Sequence, residues 1–427
     1  MSNAVLAHAD TARAGWRVSS RKLVNFLFFI FIVSGAIAIV EPSPYDFASL
    51  IAMPVWFVCG FRVHRMFVPY FLLMTVYLLS GFIALIPYWN EPDPVVFELQ
   101  SLYLYITAIF FGLFFGERTL ERGELCLKAF ALACVISSAA GIIGYFDIAG
   151  TGLIFATYGR AAGTFKDPNV FGSFLILGAL YCMQLIMLRR AKHVFIVVLS
   201  LAIIIAGVFF SFSRGSWGAF MFASMMMIGM ALVTNPDPKV RRQILIGVLV
   251  AIVLAAILLA VLMSVDSIRE LAFQRSQSVG EEYDDRRFDN QARSLSMLLD
   301  RPLGFGPLRF RNYFDLEPHS SYVNAFASYG WLGGFSFLLL VGVTGFIGFR
   351  QCFARSPFRS LSQVVWPSLM VFFLQGFQID IDHWRHVYLM IGMVWGIEAA
   401  RRRWMEDQDR EPSAIPSRRR AAASARA

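Results

Sequence analysis

Long, nearly continuous apolar runs separated by short polar breaks recur from residue 23 to residue 400. That pattern leaves few choices. In hydrocarbon, every backbone N–H and C=O must find its partner inside the protein, which only helices and closed barrels achieve. Barrel strands alternate in hydropathy, whereas these runs do not, so helices are expected. About 20 apolar residues are needed to cross the hydrocarbon. Twelve spans are predicted, at 23–40, 46–61, 67–87, 98–116, 125–147, 169–188, 193–212, 216–234, 244–264, 320–349, 361–379 and 386–400. The expected fold is an all-α polytopic membrane protein of about twelve transmembrane helices. Charged residues make up only 16% of the chain, against about 25% in a soluble domain, so little water-soluble mass is left over.

Lysine and arginine set the expected orientation. With the N-terminus inside, 26 of the 38 fall on inner segments or tails, among them Arg62, Arg65, Arg118, Arg122, Arg189, Arg190, Lys239 and Arg350. Residues 1–22 then form an inner tail, 23–400 the membrane domain and 401–427 a basic inner tail, with 406–427 reading as disordered. The run 23–40 is longer than the roughly 7–15 residues of a signal-peptide core and reads as a retained span. Despite a net charge of +9, Arg401-Arg402-Arg403 reads as an inner-face anchor, so no nucleic-acid partner is expected. The five cysteines all avoid the outward segments, which excludes a disulfide framework. No Walker-type or dinucleotide-type glycine loop occurs, which disfavours an ATPase or a nicotinamide enzyme.

The long polar exception, Val265 to His319, is expected outside, as one large loop between the ninth and tenth spans. A basic residue near lipid is costly unless paired, hydrated or used. Arg160, Arg214 and His319 each stand just before a span that runs from outside to inside, so they sit at outward-facing helix N-termini. Such ends carry free N–H groups and partial positive charge and bind phosphate readily. Asp167-Pro168 offers a cap followed by proline at the first helical position, and Ser216 and Ser320 are candidate caps for the other two helices. These features predict an anion site at the outer membrane surface. Each residue also has a plain reading: Arg160 as a loop cation, Arg214 as a structural residue, His319 as a helix-end residue, and Arg287 as one member of a solvated charge cluster with Glu281, Glu282, Asp284, Asp285 and Arg286. A second cluster, Asp380-Ile381-Asp382-His383-Trp384-Arg385-His386, reads either as a zinc site or as an interfacial turn with a tryptophan anchor.

Four patterns occur in order. Arg160, Gly163, Pro168 and Asn169 form Arg-x-x-Gly-x-x-x-x-Pro-Asn. Ser213 to Gly215 form Ser-Arg-Gly. Arg287 precedes Pro302, Gly304 and Gly306. His319 heads a span that contains Gly330 and Gly333. Over residues 155–350 the chain resembles the O-antigen ligase and polysaccharide polymerase superfamily of bacterial membrane glycosyltransferases. One departure stands: the family usually has His-Asn where this chain has His319-Ser320. The resemblance implies a metal-independent, inverting transferase without cofactors in the bacterial inner membrane, with both termini cytoplasmic and the active site on the periplasmic side. It implies a donor of oligo- or polysaccharide linked to undecaprenyl diphosphate in the bilayer, and an acceptor hydroxyl on lipid A–core or on a growing glycan. Ligase and polymerase stay open.

By motif matching, Arg214 and Arg287 hold the diphosphate and His319 serves the acceptor, as base or as positioner. Arg160, Asn169, Ser320 and Tyr322 complete the expected substrate-binding set. A lipid-linked-sugar flippase or exporter is the rival class. Transporters place ionisable groups near the bilayer midplane, whereas the informative charges here gather at one face.

Overall fold

The computed structural model describes residues 20–264, 266, 269–270, 281–314 and 316–410. In chain order the helices are α1 Ser20–Ser34, α2 Pro44–Val58, α3 Phe67–Leu85, α4 Pro92–Gly116, α5 Thr119–Tyr145, α6 Gly152–Phe155, α7 Pro168–Met187, α8 Val194–Phe210, α9 Arg214–Thr234, α10 Pro238–Met263, α11 Glu281–Leu298, α12 Arg311–Phe314, α13 Ser321–Phe353, α14 Arg359–Gln375 and α15 Arg385–Arg410. A two-stranded hairpin, β1 Ala156–Thr157 and β2 Arg160–Ala161, precedes α7. The most extensive pairings are α4 with α15 and α3 with α13. Phenylalanines fill the core between α1 and α4: Phe28 stacks on Phe114 and Phe31 on Phe111, all four almost fully buried. Residues 401–410 continue α15, whereas 1–19, 271–280 and 411–427 lie outside the described residues, and with them most of both tails.

The protein is an all-α polytopic membrane protein, but the expectation of about twelve spans is wrong. Among the described residues six helices are long and apolar enough to cross a bilayer: α3 with its 3-10 extension to Tyr88, α4, α5, α7, α9 and α13. The error has a physical source. A hydropathy run counts residues whether or not they are helical. α1 has 15 residues and stops at Ser34, while the apolar run goes on to Val40. α2 has 15 residues, with Pro54 inside, and α8 and α14 have 17 each. At 1.5 Å per residue these make about 22–26 Å, short of the roughly 30 Å hydrocarbon core. α10 has 26 residues, but several of its side chains lie outside the described set, and it is not among the six.

The polar stretch before α13 is not an open loop. It contains α11 and α12, and it plugs a break in α13. Gly330 has φ +68° and ψ −166°, a conformation essentially restricted to glycine. In an unbroken helix Trp331 N–H would bond to Ala327 C=O. Here Ala327 C=O instead accepts from Phe305 and Gly306 N–H (2.7 and 3.1 Å), and Trp331 N–H donates to Pro302 C=O (2.9 Å). The Trp331 indole adds a bond to Leu298 C=O. A small second core then closes around Leu298, Phe305, Phe310, Phe314, Val323 and Ala327. Arg309 pairs with Glu91, and Arg311 lies 3.4 Å from Asp93, which fastens the same stretch to the α3–α4 turn.

A Cβ at Gly330 would run into the Pro302 carbonyl. Gly330→Ala is therefore expected to destabilise the protein by about 1–3 kcal/mol. The check is thermal unfolding of the purified protein in detergent, with Gly342→Ala as the control, because a Cβ there meets nothing within 4 Å.

Candidate functional site

The N-terminal ends of α7, α9 and α13 and the C-terminal end of α14 meet at one end of the bundle. Local chemistry makes each end. Asp167 caps α7, accepting from Asn169 and Val170 N–H (2.6 and 3.2 Å), with Pro168 next. Ser213 caps α9 by accepting from Ser216 N–H at 3.2 Å. Ser216, the expected cap, is instead the residue capped, and its hydroxyl donates to Asn169 C=O. The chain reverses between α8 and α9 through Phe212 at φ +44°. Ser320 caps α13, as expected, accepting from Val323 N–H.

Arg160 follows a tight turn in which Tyr158 and Gly159 both have positive φ. The side chain is buried. Its Nε donates to Ser211 C=O (2.7 Å) and a terminal nitrogen to Asn169 Oδ1 (2.8 Å). The fork thus ties the end of α8 to the start of α7, and two of the expected site residues bond each other. Arg214 differs. It is the first residue of α9, exposed, and it makes no hydrogen bond or ion pair among the described residues.

Gln375 and Gly376 bridge the α9 head to the α13 head. Gln375 Nε2 donates to Ser173 Oγ and Gly215 C=O. Gly376 C=O accepts from Ser321 N–H at 2.8 Å and Ser320 Oγ at 3.3 Å. Tyr322 donates its hydroxyl proton to Phe373 C=O at 2.6 Å, packing α13 on α14. Arg214 and His319 therefore flank the same end of α14.

His319 has φ +45°, and its Nδ1 lies 3.5 Å from Asp380 Oδ2, with both side chains about one-third exposed. Asp380 lies in the turn between α14 and α15. Sequence reasoning missed this partner, because the residues are far apart in the chain and Asp380 had been read only within its own cluster. Burial pushes the Asp380 carboxyl above the ordinary aspartate range, against the pull of His319. Burial also raises Glu317, despite Arg311 nearby.

The rest of that turn is fixed from within. Ser321 Oγ accepts from Ile381 N–H at 2.6 Å, and Asn324 donates to Asp382 Oδ2 at 2.9 Å. His383 Nδ1 is 3.3 Å from Asp382 Oδ2, and its Nε2 reaches Ser101 Oγ. His386 turns away, among Phe174, Phe372 and Trp384. The two histidines thus part, and among the described residues no three potential metal ligands converge.

Arg287 belongs to α11, but its side chain lies outside the described residues. One turn later in that helix, Gln291 donates to Pro318 C=O at 2.7 Å, beside His319. On the other side of the α7 head lies a cavity of about 770 Å³. Its walls are mostly apolar, Leu50, Leu99, Phe130 and Phe174 among them, and Lys166, Asp167, His383 and Arg385 also line it.

A sequence model of the O-antigen ligase family matches residues 199–338. The matched stretch holds Arg214, Arg287, His319, Ser320 and Tyr322, and it leaves out Arg160, Asn169 and Asp380. No curated protein matches the chain.

The Asp382–His383 pair gives a pH prediction. For His383 burial is the largest influence and opposes the charged form, but the hydrogen bond and charge of Asp382, with Phe97 C=O and Glu98, together outweigh it and the pKa rises. For Asp382 burial is the largest influence and acts upward, but the bond and charge of His383, with a backbone bond and the Asn324 bond, together take the pKa down. The histidine's contribution to stability is full below its unfolded pKa of about 6.5 and is lost as pH rises through the higher folded value. The aspartate's is full above about 3.9 and is lost as pH falls through the lower folded value. His383→Gln should therefore lower the unfolding midpoint more at about pH 6 than at about pH 9. A pH series of thermal unfolding curves checks this.

Proposed function

We propose that the protein transfers a glycan from an undecaprenyl-diphosphate donor to a sugar hydroxyl, at the periplasmic face of a bacterial inner membrane. The observation that carries this reading is that an exposed Arg214, with no hydrogen bond or ion pair among the described residues, and a carboxylate-backed His319 flank one helix end, inside a stretch that matches the O-antigen ligase family. The apolar cavity beside the α7 head suits the isoprenoid chain of the donor; its two cations, Lys166 and Arg385, pair with Glu41 and Asp46 in the same wall.

In the reaction the bond from sugar C1 to the diphosphate oxygen breaks, and the acceptor oxygen bonds to C1 from the opposite side, inverting the centre. Charge grows on the leaving diphosphate. Arg214, at the positive end of α9, meets that charge with a planar fork, and Arg287 is assigned beside it from the family pattern. Fixed cations there stabilise the transition state more than the ground state. The hydroxyl proton passes to His319. Asp380 accepts from Nδ1–H and so leaves Nε2 as the basic nitrogen, the usual effect of a carboxylate on an imidazole. Arg160 and Asn169 act on the donor side through the α7 head, while Ser320 and Tyr322 hold the α13 head against α14. The products are the joined glycan and undecaprenyl diphosphate. The acceptor is lipid A–core in a ligase or the end of a growing glycan in a polymerase. Deleting the gene separates the two: lipid A–core without polymer marks the ligase, and loss of long chains with single repeats retained marks the polymerase.

With purified protein, lipid-linked donor and acceptor, His319→Ala should lower turnover by about 10²–10⁴-fold. Asp380→Asn should lower it less, with a shifted pH profile. Arg214→Lys should cost at least about tenfold, because a point charge does not replace the fork. Near-normal transfer by His319→Ala and Arg214→Lys together with correct folding would remove the proposal's basis.

A further inference from the structure

The helices that build the candidate site also build a second cavity at their other ends. It measures about 660 Å³ and lies among the C-terminal ends of α7, α9 and α13 and the N-terminal end of α14. Arg190, Arg355 and Arg359 line it, with Trp404 of α15, and no aspartate or glutamate does. None of the three arginines has an ion-pair partner among the described residues.

Helix C-terminal carbonyls explain one of these arginines. Arg359 donates to Ala354 C=O at 2.8 Å and Thr234 C=O at 3.3 Å, answering the ends of α13 and α9. The other two exceed that need. The Arg190 guanidinium makes a single hydrogen bond among the described residues, to the neutral Ser360 hydroxyl, and Arg355 is exposed and bonds to no described acceptor. Gln363 and Gln184 hold the walls through Thr234, Cys352 and Ser360, so the cavity is framed largely without Arg190, which adds one bond to Ser360, and wholly without Arg355. Arginines that converge without a counter-ion repel one another, and an anion that enters gains charge-assisted, forked hydrogen bonds. Basic pockets between membrane helices hold lipid phosphates in this way.

We propose that this cavity binds a phosphate group, held by Arg190, Arg355 and Arg359, and that its occupancy clamps together the far ends of α7, α9, α13 and α14. The phosphate comes either from an anionic phospholipid headgroup or from a soluble phosphate. The experiment uses the purified full chain in neutral detergent and reads the thermal unfolding midpoint. One arm adds phosphatidylglycerol, with diacylglycerol as the uncharged control. The other adds inorganic phosphate against chloride at equal ionic strength.

Binding should raise the midpoint by at least about 2 °C. The double variant Arg190→Gln/Arg355→Gln should lose most of that rise, and Arg355→Gln alone, which breaks no described bond, should lose part of it. Arg214→Gln should keep it, which separates this cavity from the candidate site. A rise confined to the lipid arm and lost in the double variant assigns a headgroup, and a rise in the phosphate arm lost in the same way assigns a soluble phosphate. No rise in either arm, or an equal rise in the double variant, overturns the proposal.

Discussion

One hydrogen bond is missing from α13, between Trp331 N–H and Ala327 C=O, and much of the molecule is arranged around its replacement. Each group would cost several kcal/mol if left unpaired at membrane depth. The backbone from Pro302 to Gly306 satisfies both, which seats the polar stretch against α13. Gly304 and Gly306, at φ +71° and +103°, let that backbone come close. Everything attached to the stretch is then located: α11 reaches Pro318 through Gln291, and the arginines 309 and 311 fasten the α3–α4 turn. The position of His319 follows from the same seating, since it stands between the plug and the helix the plug repairs.

Most polar side chains near the candidate site are spent on holding helix ends. Arg160, Asn169, Ser213, Ser216, Ser320, Ser321 and Gln375 bond to backbone groups or to each other across α7, α9, α13 and α14. Arg214 is not spent in this way. His319 is held from one side by a carboxylate whose own proton affinity is raised by burial. Among the described residues a hydrogen-bonded polar frame thus surrounds an exposed guanidinium and an imidazole beside a carboxylate, and on the proposed reading it would act by electrostatic preorganisation.

Local chemistry made part of this legible in the sequence. The Asp167-Pro168 start of α7 and the Ser320 cap of α13 are where capping rules put them. A rule about cations beside helix N-termini points to Arg160, Arg214 and His319, and the structure brings the three to one end of the bundle. What escaped was non-local. Asp380 meets His319 only because α14 and α13 pack together, and no spacing rule joins residues so far apart. The span count failed because helices stop at Ser34, at Val58 and at the Ser211–Ser213 reversal, inside or beside apolar runs that hydropathy alone counts as spans. The α9 cap was placed three residues late for a similar reason: several serines stand in a row, and only the backbone geometry at Phe212 selects Ser213.

Product stoichiometry in proteoliposomes tests the account most directly. Purified protein is reconstituted with lipid-diphosphate glycan donor, acceptor is added, and free undecaprenyl diphosphate is measured alongside joined glycan. The account predicts one undecaprenyl diphosphate released for each glycan transferred, on the face that carries Arg214 and His319. Donor that crosses the bilayer intact, with no diphosphate released, would contradict it.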